Sequence, residues 1–253
     1  MTEVLDRVKT DRVVQAVLGL VVAYSLLYWV PGSPLPDKVP WGVITQGVIF
    51  GTSYALTAMG LILVYRTTRI VNFALGAMGA MPGAFTVGLF VAKGWSWWLA
   101  ILFGVAIGTA TGALVDILVV RRFARSSRLV LTVATIGLAQ LLGAIGLVVL
   151  IQLGATALIG DIETPLSWSF DVRPFLIRGD HLLMLGVAPA ALAGLGWFLL
   201  KTDTGRAVRA AAENRDRAML LGVPVRRLQT IVWAMAGGLA TITFVTRVPF
   251  TGM

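Results

Sequence analysis

Long apolar segments alternate with short polar ones along the whole chain. The apolar segments cover residues 13–30, 41–64, 70–92, 95–120, 129–153, 182–200 and 228–246, and among Asp, Glu, Lys, Arg and His they contain only Asp116. A helix needs about 20 apolar residues to cross a hydrocarbon core roughly 30 Å thick, and each segment approaches or exceeds that length. The pattern therefore predicts an all-α, polytopic transmembrane helical bundle of about seven spans, forming one transmembrane domain over residues 1–253.

The composition agrees with this class. Apolar residues make up 57% of the chain and charged residues 13%, whereas a soluble domain carries about a quarter charged residues. The first apolar segment is predicted to be an uncleaved span, because acidic residues accompany the bases of the leader 1–12 and no small-residue cleavage pattern follows. The chain has no cysteine, which excludes disulfides and thiolate metal sites.

The basic residues gather in alternate polar segments. If the N-terminus is cytoplasmic, the inner segments 1–12, 65–69, 121–128 and 201–227 hold three, two, four and seven Lys or Arg residues, which is 16 of the 21 in the chain. This asymmetry follows the positive-inside rule, and tryptophans fall at the predicted outer ends of spans, where indole rings prefer the headgroup zone. The net charge of +9 is therefore interpreted as membrane orientation, and no nucleic-acid partner is predicted.

Small residues mark helix faces that can approach closely in lipid. Gly104, Gly108 and Gly112 recur every four residues in the fourth apolar segment, and Gly47 and Gly51 do so in the second. The spacing fits either a tightly packed pore-forming bundle or dimer seam, or ordinary packing within one chain. The second interpretation is favoured for any single pair.

Pro82 lies in the middle of segment 70–92, with Gly76, Gly79 and Gly83 around it. Proline removes a backbone donor and is expected to kink this span. Irregular backbone at membrane depth is tolerated where it is buried in protein or lines a cavity. This segment is therefore placed beside any path through the membrane.

Asp116 is the acidic residue inside a predicted span, which makes it a candidate proton relay or gate. It also lies about one helical turn from Arg121 and Arg122. A snorkelled ion pair with Arg121 at the membrane interface costs less free energy than an isolated carboxylate in lipid. The structural ion pair is therefore the favoured interpretation.

Sequence signals for catalysis are missing. The chain has no Gly-Lys-Ser/Thr phosphate loop, no H-E-x-x-H and no G-x-S-x-G. Its single histidine, His181, has no metal-ligand companions, so neither a metal site nor a cofactor is predicted. The long outer loop 154–181 is interpreted as an ordered cap or docking surface rather than a domain.

The polar loop 201–227 contains a short helix with its own start and stop signals. Asn214 is a good N-cap, and Asp216 suits the positive end of the helix dipole. Gly222 is expected in the left-handed conformation just past a helix over 215–221, and Pro224 blocks continuation. So short a helix is unstable alone in water, so it is expected to dock through its apolar residues Ala218, Met219 and Leu221. Upstream, residues 204–212 are expected to extend the preceding span.

These segments resemble the permeases of bacterial branched-chain amino acid ABC transporters. GRAVRAAAENRDRAMLLGV is similar to the coupling loop of that family, and RIVNFALGAMGAM (69–81) to its R-x-I-N-F-A-H-G segment. GVIFGTSYALTAMGLILVYR (47–66) is similar to the family's first conserved span, and 116–142 to its E-x-x-x-x-R-P-L-R and L-x-x-T-I-G segment. The likeness covers roughly residues 41–246, with the motifs in the expected order.

The resemblance implies a multi-pass subunit of the bacterial inner membrane. Its partners would be a second permease subunit, identical or paralogous, two cytoplasmic ATP-binding subunits and an extracytoplasmic solute-binding protein. The ATPase-coupling residues implied within the loop are Arg206, Ala211, Glu213, Asn214, Ala218, Leu221 and Gly222. Asn72, Phe73 and Gly76 fall in the motif near the translocation path, and Asp116 takes the place of the family's Glu beside Arg121. Pro82 lies just past that motif and is assigned to the path because of its expected kink.

The chain departs from the family pattern in two ways. Leu75 stands where the family usually has His, which removes a polar group from that position. Family members also continue through further apolar segments beyond the position of Met253. The alternatives are a fragment, a truncated gene product and a split permease.

The leading hypothesis is a non-catalytic permease subunit of an ABC importer for branched-chain amino acids or a related small solute, with ATP hydrolysed by partner subunits. An ion-coupled secondary transporter or channel is the alternative, and it needs coupling groups near the bilayer midplane, where the chain offers only the peripheral Asp116. A structural membrane scaffold would fit the glycine seams but would leave the loop 201–227 without a purpose.

Overall fold

The computed structural model describes residues 19, 22–23, 41–123, 126–155, 166, 168–172 and 175–251. By its internal contacts the chain divides into a small unit, residues 1–46 and 171–176, and a large unit, residues 47–170 and 177–253. All the side-chain contacts described below lie within the large unit. The single transmembrane domain over 1–253 stays a prediction.

Long helices dominate the described part of the chain. In chain order they are α1 Trp41–Thr68, α2 Leu75–Lys93, α3 Trp97–Val115, a π-helix Asp116–Val120, α4 Arg128–Leu153, α5 Gly179–Lys201, α6 Asp203–Glu213, α7 Arg215–Leu220 and α8 Val225–Thr251. Two short strands, β1 Ser169–Val172 and β2 Phe175–Arg178, pair in the segment predicted as the outer loop.

Six of the described segments are long and apolar enough to cross a membrane. They are Gly42–Thr68, Leu75–Lys93, Trp97–Val120, Leu129–Leu153, His181–Lys201 and Val225–Arg247. The prediction of an all-α, polytopic helical bundle is confirmed, and these six correspond to predicted segments. The remaining predicted span, 13–30, lies outside the described residues apart from positions 19 and 22–23.

The helices α2, α3 and α8 form the tightly packed centre of the large unit, and α4 packs on α2. In α8, 67% of the spanning window is buried, against 17% in α5, so α8 is the central helix. Met78 of α2 and Trp233 of α8 are fully buried there. Apolar side chains on α1, α3 and α4 remain exposed, as expected of surfaces that face lipid or another subunit.

The glycines of α3 allow this close packing. A Cβ at Gly108 would lie 1.9 Å from Thr241 Oγ1, and one at Gly112 would lie 2.1 Å from the carbonyl oxygen of Trp233. The interpretation as packing within one chain is confirmed for these glycines. By contrast, a Cβ at Gly47 or Gly51 of α1 would meet nothing within 4 Å in the described chain.

Two helix boundaries differ from the predicted ones for local reasons. Helix α2 begins at Leu75 rather than at 70, because Arg69 has a positive φ of 57° and the Asn72 side chain accepts a hydrogen bond from Ala74 N at 2.9 Å. Helix α8 begins at Val225, three residues before the predicted 228. The chain around the start of each helix carries polar residues, which hydropathy alone assigns to loops.

The kink expected at Pro82 stays a prediction. Helix α2 runs from Leu75 to Lys93 with Pro82 inside it. An irregular stretch that the sequence did not predict is the π-helix at the end of α3, where Arg121 N donates to Asp116 O at 2.9 Å, a five-residue step. Single π turns inside helices occur frequently at functional sites.

Candidate functional site

The polar segments after α1, after the π-helix and between α5 and α8 meet at one end of the large unit. Arg69 reaches Ala212 O, Arg121 reaches Arg226 O, and Arg215 reaches Gln229. We call this the basic end, and it is formed by residues 66–74, 116–123, 126–127 and 201–230. Most of the predicted site residues lie here.

Helix α6 is separate from α5, which corrects the expectation that 204–212 extends the preceding span. Thr202 interrupts the helix, and its Oγ1 accepts a hydrogen bond from Gly205 N at 2.9 Å, as an N-cap does. Gly205 lies against α5, since a Cβ there would be 2.1 Å from Phe198 O. The chain therefore turns back so that α6 packs on the end of α5.

Helix α7 carries the predicted start and stop signals. Asn214 Oδ1 accepts a hydrogen bond from Arg217 N at 2.9 Å. At the other end Gly222 has a φ of 79°, and Val223 N donates to Ala218 O at 3.0 Å, so the terminal carbonyls are satisfied by a left-handed cap. The helix ends at Leu220, one residue before the predicted end.

Replacing the N-cap should loosen α7 without affecting the spans. Asn214→Ala removes the acceptor for Arg217 N and is expected to cost about 1 kcal/mol of local helix stability. Amide hydrogen exchange over residues 215–220 should then accelerate roughly fivefold. Asn214→Asp keeps a capping oxygen and should exchange like the natural chain; equal acceleration in both variants would contradict the capping role.

The side chains of α6 and α7 divide into an inward and an outward set. Ala211 and Ala218 are 5% and 3% exposed and belong to the core, so Ala218 is a contact through which α7 docks on its own chain. Leu220 and Leu221 are 87% and 83% exposed, and Met219 is 49% exposed. Leu220 was not singled out from the sequence, although it is the most exposed of these side chains.

We call the exposed side chains of Met219, Leu220 and Leu221 the apolar tip. A groove runs beside it. It has a volume of about 360 Å³ and is lined by Ala210, Glu213, Asn214, Arg217, Ala218 and Leu221. Arg206 lies upstream on α6, where it is exposed and ion-paired with Asp203. Four of the predicted loop residues, Glu213, Asn214, Ala218 and Leu221, therefore border one groove, and Leu221 is the exposed leucine among them.

Asp116 is the centre of a buried hydrogen-bond network. Its side chain is 0% exposed, and Arg121 Nε lies 3.2 Å from Oδ2. Thr230 Oγ1 donates to the same oxygen at 2.6 Å, and Gln229 Nε2 donates to Oδ1 at 2.5 Å. The pair with Arg121 is present, but the carboxylate is enclosed by α8 rather than snorkelled at a surface.

The network extends from Asp116 to α7. Arg215 Nη1 donates to Gln229 Oε1 at 3.4 Å, and Arg121 Nη2 donates to Arg226 O at 3.2 Å. The π-helix, the first turns of α8 and the start of α7 are therefore joined through polar side chains. Sequence reasoning missed Gln229 and Thr230; the available signal was an adjacent polar pair in the first turns of an apolar helix.

The four residues assigned to a path are not all on one surface. Asn72 is 2% exposed, and its Nδ2 lies 3.3 Å from Met78 Sδ. Phe73 is 56% exposed, and its N–H donates to Thr135 of α4. Gly76 is exposed, whereas Pro82 is buried, with its carbonyl next to α3. The structure brings Asn72, Phe73 and Gly76 together and leaves Pro82 apart.

The chain is similar in sequence to transport permeases. Residues 43–245 match the family described as "Branched-chain amino acid transport system / permease component". Over 207 residues the chain is 26% identical to a probable branched-chain amino acid transport permease protein of Methanocaldococcus jannaschii, covering 79% of this chain and 64% of that protein.

Relatives named for other solutes match as well. An autoinducer 2 import system permease protein of Enterobacter sp. is 31% identical over 217 residues, which are 81% of this chain and 57% of that protein. A fructose import permease protein of Bifidobacterium longum is 28% identical over 193 residues, 75% of this chain and 50% of that protein. The chain thus spans about half to two thirds of the length of these relatives, and no solved structure matches it.

Proposed function

The chain belongs to the permease-component family of branched-chain amino acid transport systems, and we propose that it forms part of the membrane pathway of an ABC importer. As a permease subunit it catalyses no reaction itself, and separate cytoplasmic ATP-binding subunits supply the energy. The basic end faces the cytoplasm in this proposal, because arginines cluster there and positive residues remain on the cytoplasmic side. We propose that this membrane is the bacterial inner membrane.

The observation that carries the proposal is the apolar tip of α7. Leu220 and Leu221 are 87% and 83% exposed on a helix that is held by caps at both ends. Apolar groups exposed on a polar end of a molecule are typical of a contact surface for another protein. We assign this tip, with the groove beside Glu213 and Asn214, to the ATP-binding subunits.

The polar network gives a route by which movement of α7 reaches the spans. Arg215 joins α7 to Gln229, and Gln229 joins α8 to Asp116 at the end of α3. A push on α7 would therefore act on α3 and α8, which form the tightest helix pair in the large unit. Asp116 gives little support to the ion-coupled alternative, because its carboxylate already has three partners.

The family supports a proposal for the solute and the remaining partners. We propose branched-chain amino acids or a related small solute, delivered by an extracytoplasmic binding protein to a path shared with a second permease subunit. The relatives' names range over branched-chain amino acids, autoinducer 2 and fructose, so the narrower assignment rests on the family description. Asn72, Phe73 and Gly76 are proposed to border the path, and Pro82 to shape α2 from within.

Polar replacement of the tip tests the proposal. Leu220→Ser together with Leu221→Ser should leave membrane insertion and thermal stability unchanged, since both side chains are exposed. Affinity for the ATP-binding subunits should fall at least roughly tenfold, because exposed aliphatic anchors at an interface contribute about 1 kcal/mol or more each. Co-purification of the subunits from membranes, followed by titration, measures the change.

Leu129→Ser is the matched control, because Leu129 is 75% exposed at the start of α4, outside the α6–α7 element. It should retain the ATP-binding subunits. Unchanged co-purification of the double serine variant would overturn the assignment of α7. Uptake that persists without ATP but stops when the ion gradient collapses would favour the ion-coupled alternative instead.

A further inference from the structure

A cavity at the basic end lies between the C-terminal end of α1 and helix α6. Its volume is about 530 Å³, and it is lined by Arg66, Arg69, Val208, Arg209, Ala212 and Glu213. Three arginines from two separate segments therefore border one concave space. We call it the arginine cavity, and neither the α7 tip nor the Asp116 network includes any of these arginines.

Arg69 is held in place at the wall of this cavity. Its backbone has a φ of 57°, which is uncommon for a residue other than glycine, and its Nη2 donates to Ala212 O at 3.2 Å. The carbonyls of the last helical turn lack partners within the helix, so this bond satisfies one of them in α6. A guanidinium has five N–H donors, and the other donors of Arg69 remain for a ligand.

The cavity has an excess of positive charge. Glu213 is the carboxylate among its lining residues, and within the described part of the chain none of the three arginines forms an ion pair. The planar guanidinium fork matches the oxygens of a phosphate group. Positive-inside orientation explains why this end is basic, but it does not require three arginines to border the same cavity.

The position of the cavity suits a ligand from the membrane surface. The apolar span of α1 ends at Thr68, so Arg66 and Arg69 lie on either side of the position where a hydrocarbon core is expected to give way to headgroups. Val208 is 1% exposed and provides an apolar floor. Basic pockets between helices at this level bind the phosphates of anionic lipids.

We propose that the arginine cavity binds a phosphate group, carried by the headgroup of an anionic phospholipid. Arg66, Arg69 and Arg209 are its ligands, and Glu213 limits how much negative charge enters. A bound lipid would join α1 to α6 and so hold the α6–α7 element against the membrane. This inference requires only that the chain lies in a membrane, not that it pairs with ATP-binding subunits.

The test compares lipid retention by two variants with equal loss of charge. The full chain, purified in detergent, is incubated with phosphatidylglycerol or phosphatidylcholine, and bound lipid is counted by native mass spectrometry. Arg66→Gln with Arg209→Gln should lower phosphatidylglycerol binding roughly tenfold or more, since each substitution removes a charge-assisted hydrogen bond to the phosphate in the cavity. Arg122→Gln with Arg227→Gln removes two charges from the same end outside the cavity and should bind like the natural chain.

The outcomes separate the possibilities. Selective loss in the cavity variant, unaffected by millimolar inorganic phosphate, supports a lipid source, and competition by inorganic phosphate supports a free phosphate at the same site. Equal loss in both variants, or no preference for phosphatidylglycerol in the natural chain, overturns the proposal. Unchanged lipid and phosphate binding with weakened retention of ATP-binding subunits also overturns it, because the arginines would then contact a protein. Arg209→Gln alone serves if the double variant does not insert.

Discussion

Replacing Asp116 by alanine is expected to destabilise the chain by about 3 kcal/mol. The carboxylate is 0% exposed, and its removal leaves the Gln229 amide, which is 8% exposed, without an acceptor. It also takes the counter-charge from Arg121. A broken buried ion pair costs about 3–5 kcal/mol, and the lower figure applies because the Arg121 side chain is 39% exposed and can reach water. Unfolding of the purified chain with a denaturing detergent measures the loss.

Asp203→Ala is the matched control for this change. Asp203 also pairs with an arginine, but its side chain is 93% exposed and that of Arg206 is 63% exposed, so the loss should stay below about 1 kcal/mol. Asp116→Asn should fall between the two, because an amide retains one acceptor oxygen but has no charge. Equal effects of Asp116→Ala and Asp203→Ala would show that the buried network contributes nothing beyond a surface pair.

The sequence predicts the described spans well because one physical requirement dominates them. A helix in lipid must be apolar for about 20 residues and must satisfy its own backbone, so hydropathy alone locates α1 to α5 and α8. The caps of α7 are equally local, since Asn214 and Gly222 cap a helix that lies only a few residues away in the chain. Both kinds of feature depend on neighbours that are close in the chain.

The polar network could not be predicted in the same way. Asp116 and Gln229 are 113 residues apart, and the sequence of neither segment predicts that the two will meet in the fold. The π-helix and the break at Thr202 likewise depend on packing, the second on how closely Gly205 approaches Phe198. The inward direction of Ala218 and the exposure of Leu220 follow from which face α7 presents to the core, and a six-residue helix has too short a pattern to show that face.

Alanine at Gly112 is expected to separate α3 from α8. The new Cβ would lie 2.1 Å from Trp233 O and 2.8 Å from Trp233 C, and backbone atoms cannot move aside as the end of a flexible side chain can. Overpacking a well-packed core costs about 1–3 kcal/mol, and the upper figure applies where backbone must shift. The same detergent unfolding measurement should report a loss of about 3 kcal/mol for Gly112→Ala.

Gly51→Ala makes the same substitution where the described chain offers open space. Alanine is the better helix former by about 1 kcal/mol in water, so the isolated chain should be at least as stable as the natural one. If the Gly47–Gly51 face instead packs against a second permease, Gly51→Ala should weaken that pairing in membranes while leaving the isolated chain intact. Tolerance of alanine at Gly112 would show that α3 and α8 are not in backbone contact. The glycines of α3 and those of α1 therefore separate packing within the chain from packing between subunits, although both sets recur every four residues.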